Sequence, residues 1–255
     1  TIYTQANYWG IHLGRIDLTF SKSRDELVDK RAFTVLMDRR FEADPLVMEL
    51  SSGEIEASEA ELDREIGELK MPLNGDYVRG RPNGHERLIS AAIAHSLVKK
   101  KQPVDAVFHG PFFDDTIQAQ TFSVRDVWNV IPYENQVVTA ELTAREVVSI
   151  VEEAFNAGRY TDRNLMGFEV KWNRFGSRYV VTDIVDSSDG EPLYSEKKLR
   201  IAFTSYVAQS AGRRLMGLRD VIDKSSHLAQ LHEVETRECL IDFFLDKKSV
   251  TETDL

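Results

Sequence analysis

The residues able to ligate a metal or move a proton are thinly spread along this chain. Its six histidines, His12, His85, His95, His109, His227 and His232, include no pair at His-x-His or His-x-x-x-His spacing. A single cysteine, Cys239, rules out a cysteine-rich zinc site and an internal disulfide. Asn83-Gly84-His85-Glu86 imitates the Gly-Asn-His-Glu element through which asparagine and histidine reach a two-metal centre. Its first two residues are transposed, however, and no Asp-x-His or Gly-His-x-His accompanies it. The tetrapeptide therefore reads as a helix start capped by Asn83. His95 lies among alanines on the same helix and reads as a packed or surface histidine, not a base. No Gly-x-Ser-x-Gly elbow presents a nucleophilic serine, and neither glycine-rich phosphate loop occurs. Cys239 beside Leu240 reads as a buried, inert thiol. On spacing alone the chain holds no self-sufficient active site.

Two loops are better suited to gripping a ligand. Residues 108–115, Phe-His-Gly-Pro-Phe-Phe-Asp-Asp, directly follow a buried strand, and Ile131-Pro132-Tyr133-Glu134-Asn135 precedes another. Loops at strand ends hold ligands, and aromatic rings there stack on flat rings. The alternative is that these rings plug the ends of a core. Arg213-Arg214 could meet an anion, against a default of a solvated loop pair.

The elements that must position these loops follow from hydrophobic spacing. Leu88, Ile89, Ala92, Ile93, Ser96 and Leu97 form one face of a helix over 84–100. Val104–Phe108 reads as a buried strand and Val137–Leu142 as another. Thr143 and Glu146 form a capping box for a helix that turns Val147, Val148, Val151, Ala154 and Phe155 to one side. Phe168–Trp172, Tyr179–Val185 and Leu199–Val207 read as strands, with Asp189-Gly190 turning the chain before the last. A final helix over about 227–246 turns Leu231, Val234, Ile241 and Phe244 inward. Near the start, Ile2–Gln5, Gly14–Phe20 and Ala32–Met37 read as three short strands, too few to bury a core alone. Strands and helices interleave irregularly, which indicates α+β: a mixed sheet packed with helices.

Composition bounds the partners. The chain has 255 residues, 42% hydrophobic and 29% charged, an ordinary globular mix. Its formal net charge of −10 argues against sequence-independent nucleic-acid binding, which needs a basic face. No apolar run is long enough for a membrane-spanning helix. Thr1–Thr4 reads as the start of a strand and not of a secretory signal. Ten acidic residues against one base fall between Phe41 and Glu68, a local net of −9. Ser51 and Glu54 read as a capping box, Ile55, Leu62, Ile66 and Leu69 as one stripe, and Met71-Pro72 as the stop. This predicts an acidic linker helix over 49–72, the alternative being an acidic recruitment surface. It would separate a β segment, 1–48, from a larger domain, 73–255.

The order of these pieces resembles the C-terminal domain of the 5′-nucleotidase and UDP-sugar hydrolase family of metallophosphoesterases. Asp105-Ala106-Val107, a glycine turn, Ile117, Phe122-Ser123-Val124-Arg125-Asp126-Val127 and Pro132–Val138 carry most of the likeness. Leu142–Val147, Gly190–Leu193 and Leu199–Tyr206 extend it. Tyr8-Trp9-Gly10 and Leu13–Leu18 resemble the closing strands of that family's catalytic domain. The resemblance implies that this chain is the part that grips the substrate. Divalent metals, zinc, manganese or similar, would activate water in a catalytic domain outside it, and the chain itself would hold no cofactor. The implied partners are a nucleoside or nucleotide-like small molecule and that catalytic domain, with no nucleic acid and no membrane span. The family also favours a periplasmic or extracellular setting.

Carried over, Tyr133 and Tyr206 match the two rings that sandwich the base, and Asn135 the asparagine of the first loop; Gly110, Phe112 and Asp114 complete the implied substrate site. Three positions depart from the family pattern. Asp114 stands where the family has arginine, Glu134 where it has glycine, and Ser210-Ala211-Gly212-Arg213 where it has Gly-Gly-Asp-Gly. These departures support a second reading, a non-catalytic binding module of the same fold that has lost nucleotide recognition.

Overall fold

Three of the helices that carry the core begin with the same device. Asn83, Ser123 and Thr143 accept hydrogen bonds from the backbone N–H three residues on, and Glu86, Asp126 and Glu146 accept back from the cap N–H. These reciprocal bonds satisfy donors that a helix start otherwise leaves orphaned. They open α2 (Gly84–Lys99), α3 (Val124–Val130) and α4 (Ala144–Asn156) of the computed structural model. The structure describes all residues except 1, 7–9, 111, 113–114, 159–163, 195–196 and 225–228.

The chain divides into two compact units, Thr1–Ser58 and Glu59–Leu255. In the first, β1 (His12–Ser21) and β2 (Glu26–Leu36) form an antiparallel hairpin with a bulge at Thr19/Phe20. Leu13, Ile16, Leu18 and Phe20 on β1 and Leu27, Val28, Phe33 and Leu36 on β2 are all exposed. Helix α1 (Pro45–Leu62) buries no residue.

The second unit is built on a five-stranded mixed sheet. Its spatial order is β11 (Gln230–Glu235), β6 (Gln136–Thr143), β10 (Lys198–Thr204), β4 (Ala106–His109) and β7 (Asn164–Met166). β10 runs parallel to β4 and antiparallel to β6. Alternate side chains feed two cores, as the pleat requires. Phe108, Leu142, Ile201 and Phe203 join Val147, Val151 and Phe155 of α4 on one face, together with α6 (Met216–Lys224) and the hairpin β8 (Phe168–Phe175) and β9 (Arg178–Asp186). Val107, Val137 and Ala202 face the other way, onto α2, α3 and α7 (Thr236–Lys247). That second core also covers a small sheet of β12 (Ser249–Val250), β3 (Glu65–Leu69) and β5 (Gln120–Ser123). The fold is thus α+β, a mixed sheet with helices on both faces. Phe155 is 1% exposed, so its truncation to alanine would cost about 3–5 kcal/mol.

Several elements differ from the sequence expectation. The acidic helix predicted over 49–72 runs from Pro45 to Leu62, and Asp44 caps it, with its Oδ1 accepting from the N–H of Leu46 at 2.9 Å. Ser51 lies inside this helix, its hydroxyl donating to the Val47 carbonyl at 2.6 Å. Ile66 and Leu69 belong to β3 instead, where tertiary pairing overrides a helical spacing. Gly67 permits that pairing, since a Cβ there would stand 3.0 Å from the Lys248 carbonyl. The helix predicted over 227–246 is β11 followed by α7. His232 is buried against the sheet, its Nε2 2.9 Å from Thr139 Oγ1, and Leu231 faces solvent. Ile2–Gln5 forms no strand. The strand predicted to reach Val207 ends at Thr204, whose hydroxyl caps the short helix α5 (Ser205–Ala208).

Candidate functional site

The sheet order decides where the two loops meet. Because β4 and β10 are parallel and β6 is antiparallel to β10, both parallel strands end at the edge where β6 begins. Phe108 pairs with Phe203, and Val137 with Thr204. The chain leaving β4 at His109, the chain entering β6 through Asn135 and the chain leaving β10 into α5 therefore emerge side by side.

They enclose a cavity of about 500 Å³. Gly110, Phe112, Tyr133, Asn135 and Tyr206 all line it, so five of the six sequence-predicted site residues come together. Asp114, the sixth, lies outside the described residues, as do Tyr8, Trp9 and His227. Tyr133 is 61% exposed and Tyr206 44%. Both rings open to the cavity rather than plugging a core. Phe112 meets Tyr133 edge-on, with ring centroids 5.7 Å apart, and meets His109 in the same way at 5.1 Å.

Asn135 is the hinge pin of this arrangement. Its side chain is 5% exposed, and Oδ1 accepts from the backbone N–H of Tyr206 at 3.2 Å. The Ser205 hydroxyl donates to the same oxygen at 3.5 Å and accepts from the Gln136 N–H at 3.2 Å. The Asn135 carbonyl accepts from the N–H of Thr236 at 2.8 Å, which ties the loop to the start of α7. The Asn135 amide Nδ2 makes no hydrogen bond among the described residues.

Sequence reasoning missed two residues here. His109 lines the cavity at the end of β4 and is buried. Arg237 stands behind the Tyr133 loop, its Nε donating to the Ile131 carbonyl at 2.8 Å and its guanidinium stacked 3.6 Å from the Trp128 ring. The same guanidinium lies 3.6 Å from Glu134. Arg237 is 106 residues from Ile131, so no local pattern could have announced it. Of the arginine pair weighed from sequence, Arg214 lines the cavity.

A second hollow, about 580 Å³ beside α4, is lined by no aromatic ring, and its Arg178 and Glu152 pair with each other at 2.7 Å. No group of three or more His, Cys, Asp or Glu among the described residues could hold a metal ion. The described residues thus offer no set of ligands that fits a dinuclear centre, which the resemblance assigns to a domain outside this chain. No described helix is long and apolar enough to cross a membrane.

A family model described as 5′-nucleotidase, C-terminal domain, matches residues 65–216. The chain belongs to that family. The match covers the strands and helices that frame the cavity, from β3 to the start of α6. The protein UshA of Yersinia enterocolitica is 24% identical over 234 residues, which span 82% of this chain and 40% of that protein. UshA of Escherichia coli is 25% identical over 226 residues, 80% of this chain and 39% of that protein. The chain therefore spans about two fifths of the curated relatives it matches. Among solved structures, the 5′-nucleotidase precursor of Thermus thermophilus aligns with a TM-score of 0.66 at 20% identity, over 97% of this chain and 49% of that one. These likenesses place the cavity inside the 5′-nucleotidase C-terminal domain fold.

Proposed function

We propose that this chain is the substrate-gripping part of a metal-dependent phosphoric ester hydrolase that acts on nucleotides or related phosphate esters. Residues 1–48 are then the closing strands of its catalytic part, and the divalent ions that activate water for attack on phosphorus belong to residues outside this chain. The observation that carries the reading is the pair of exposed rings, Tyr133 and Tyr206, lining one cavity at the meeting of three loops. A tyrosine ring offers a flat face for a base and a hydroxyl at its rim. Asn135 holds the loops together and has its Nδ2 left for a ligand acceptor. The exposed apolar side chains of β1 and β2 support the assignment of the first unit, because a two-stranded hairpin is too small to bury them by itself.

Glu134 and the altered 210–213 segment favour the second reading, a binding module without nucleotide recognition. Calorimetric titration with adenosine, uridine, their 5′-monophosphates and a nucleotide sugar separates the two. The substrate-gripping reading expects saturable binding that Tyr133→Ala and Tyr206→Ala each weaken by about 1–3 kcal/mol, as loss of a base–ring stack does. Tyr→Phe at either position keeps most of it. Silence with every compound would reject nucleotide recognition and leave the module.

A further inference from the structure

Among the described residues, the lining of the cavity includes one acidic and one basic side chain, Glu134 and Arg214. They are not equivalent. The Glu134 carboxylate faces the guanidinium of the buried Arg237 at 3.6 Å, so its charge is countered within the protein. The Arg214 guanidinium makes no ion pair or hydrogen bond among the described residues. Among the described residues, the cavity therefore has one unanswered positive charge.

The backbone that delivers this charge is unusual. Ser210, Ala211, Gly212 and Arg213 have φ of +87°, +46°, +70° and +71°. Four successive residues thus lie in the left-handed region, and three of them carry a Cβ that opposes it. Such conformations persist only where the surroundings over-determine them, and they cluster where a group must be aimed. Here the surroundings are evident. Ser210 and Ala211 are buried, the Ala211 N–H donates to the Tyr206 carbonyl at 2.9 Å, and the Ser210 carbonyl accepts from Arg214 and Leu215, both at 2.9 Å. At Gly212 a Cβ would stand 3.3 Å from the Tyr206 hydroxyl. One turn thus seats the Tyr206 ring and turns the next side chain, Arg214, to the cavity.

We propose that Arg214 is the specificity-determining residue of this site, and that the ligand carries an oxyanion beside its flat ring which Arg214 holds. The planar fork of a guanidinium suits phosphate or carboxylate oxygens, and such charge-assisted bonds are the strong ones. This inference rests on the ring-binding reading above. It adds that the domain selects for charge as well as for a ring, with a residue other than the family's turn arginine. The anion is either the 5′-phosphate itself or a phosphate elsewhere on the sugar.

The test uses the full chain and Arg214→Ala, Arg214→Lys and Arg213→Ala, each checked for native circular dichroism. Each is titrated with adenosine, adenosine 5′-monophosphate, adenosine 3′-monophosphate and inorganic phosphate. We expect one monophosphate to bind about tenfold more tightly than adenosine, the worth of one charge-assisted contact at a solvated site. Arg214→Ala should abolish that advantage and leave adenosine within about twofold of its starting affinity, and Arg214→Lys should restore part of it. Arg213→Ala should keep the advantage. The isomer that gains identifies which phosphate is held, and inorganic phosphate should compete with that isomer and not with adenosine. If adenosine and both monophosphates bind alike, or the advantage survives Arg214→Ala, the role of Arg214 is overturned while the ring-binding reading stands. If nothing binds, the ring-binding reading fails and takes this inference with it.

Discussion

Asn135 Oδ1 accepts the backbone N–H of Tyr206 at 3.2 Å, across 71 residues of sequence. That one bond joins the loop that presents the first ring to the helix turn that presents the second. Asn135→Ala removes the acceptor and leaves the N–H of Tyr206 and the hydroxyl of Ser205 to find water. A loss of about 1–2 kcal/mol in stability is expected from denaturant midpoints, together with weaker nucleoside binding. Asn135→Asp keeps an acceptor oxygen and should retain most of the stability, while its loss of the Nδ2 donor still weakens nucleoside binding. Unchanged midpoint and affinity in Asn135→Ala would show that the two loops are placed by other contacts.

The left-handed turn predicts a gain. Arg213 is exposed with φ +71°. Glycine populates that region without steric penalty. Arg213→Gly should therefore be more stable than Arg213→Ala by on the order of 1 kcal/mol, both variants having lost the same guanidinium. Urea midpoints of the two compared side by side check it; equal midpoints would mean that the turn relaxes in solution.

Asp254 gives the chain a defined acid sensitivity. Lys247 Nζ lies 2.9 Å from its carboxylate, and the backbone N–H and hydroxyl of Thr251 donate to it at 2.9 and 2.8 Å. These partners, Lys247 foremost, hold the carboxyl down at about 2, below its ordinary 3.8. A folded value below the unfolded one means that the unfolded chain binds the proton first as pH falls. The stabilisation is therefore complete above about pH 4 and disappears as pH approaches 2. Wild type and Asp254→Asn should differ in urea midpoint at pH 5 and converge near pH 2.5. A difference that stays constant across this range would rule the linkage out.

Cys239 is fully buried on α7, and burial pushes its thiol up to about 11. At pH 8 it is a neutral thiol without access to solvent, and the thiolate is the reactive species. A disulfide reagent should label the native protein at least about a hundredfold more slowly than the urea-unfolded chain. Rapid labelling of the native protein would contradict the packing of α7 against α2.

What could be read in advance follows the range of the interactions. The start of α4 is legible because Thr143 and its answering Glu146 are three residues apart, and that of α2 because Asn83 is a good cap directly before an apolar helical face. The two ligand loops were legible because proline and aromatic residues cluster beside apolar runs, and the family likeness then named Tyr133, Asn135 and Tyr206. Ile66 and Leu69 mislead because their helical spacing is local, whereas the partners that make them a strand lie in β5 and β12. Arg237 was invisible for the same reason. The turn at 210–213 shows a different limit. Ser210, Ala211 and Arg213 carry no sign of a left-handed backbone, and in sequence the segment looks only like the loss of the family's aspartate.

The strand order bears on how this protein is made. β10 lies between β4 and β6 yet follows both in the chain, and β12 pairs with β3, which is far upstream. On a ribosome β4, β6 and β7 emerge before the strand that joins β4 to β6, and β3, once paired with β5, must wait for β12, which follows every other strand, to gain its second neighbour. Local helices form early, whereas long-range pairing must first overcome loop-closure entropy. The second unit therefore completes its sheets only once β10, β11 and β12 have emerged, and until then its growing sheet edges stay open to chaperones or to neighbouring nascent chains.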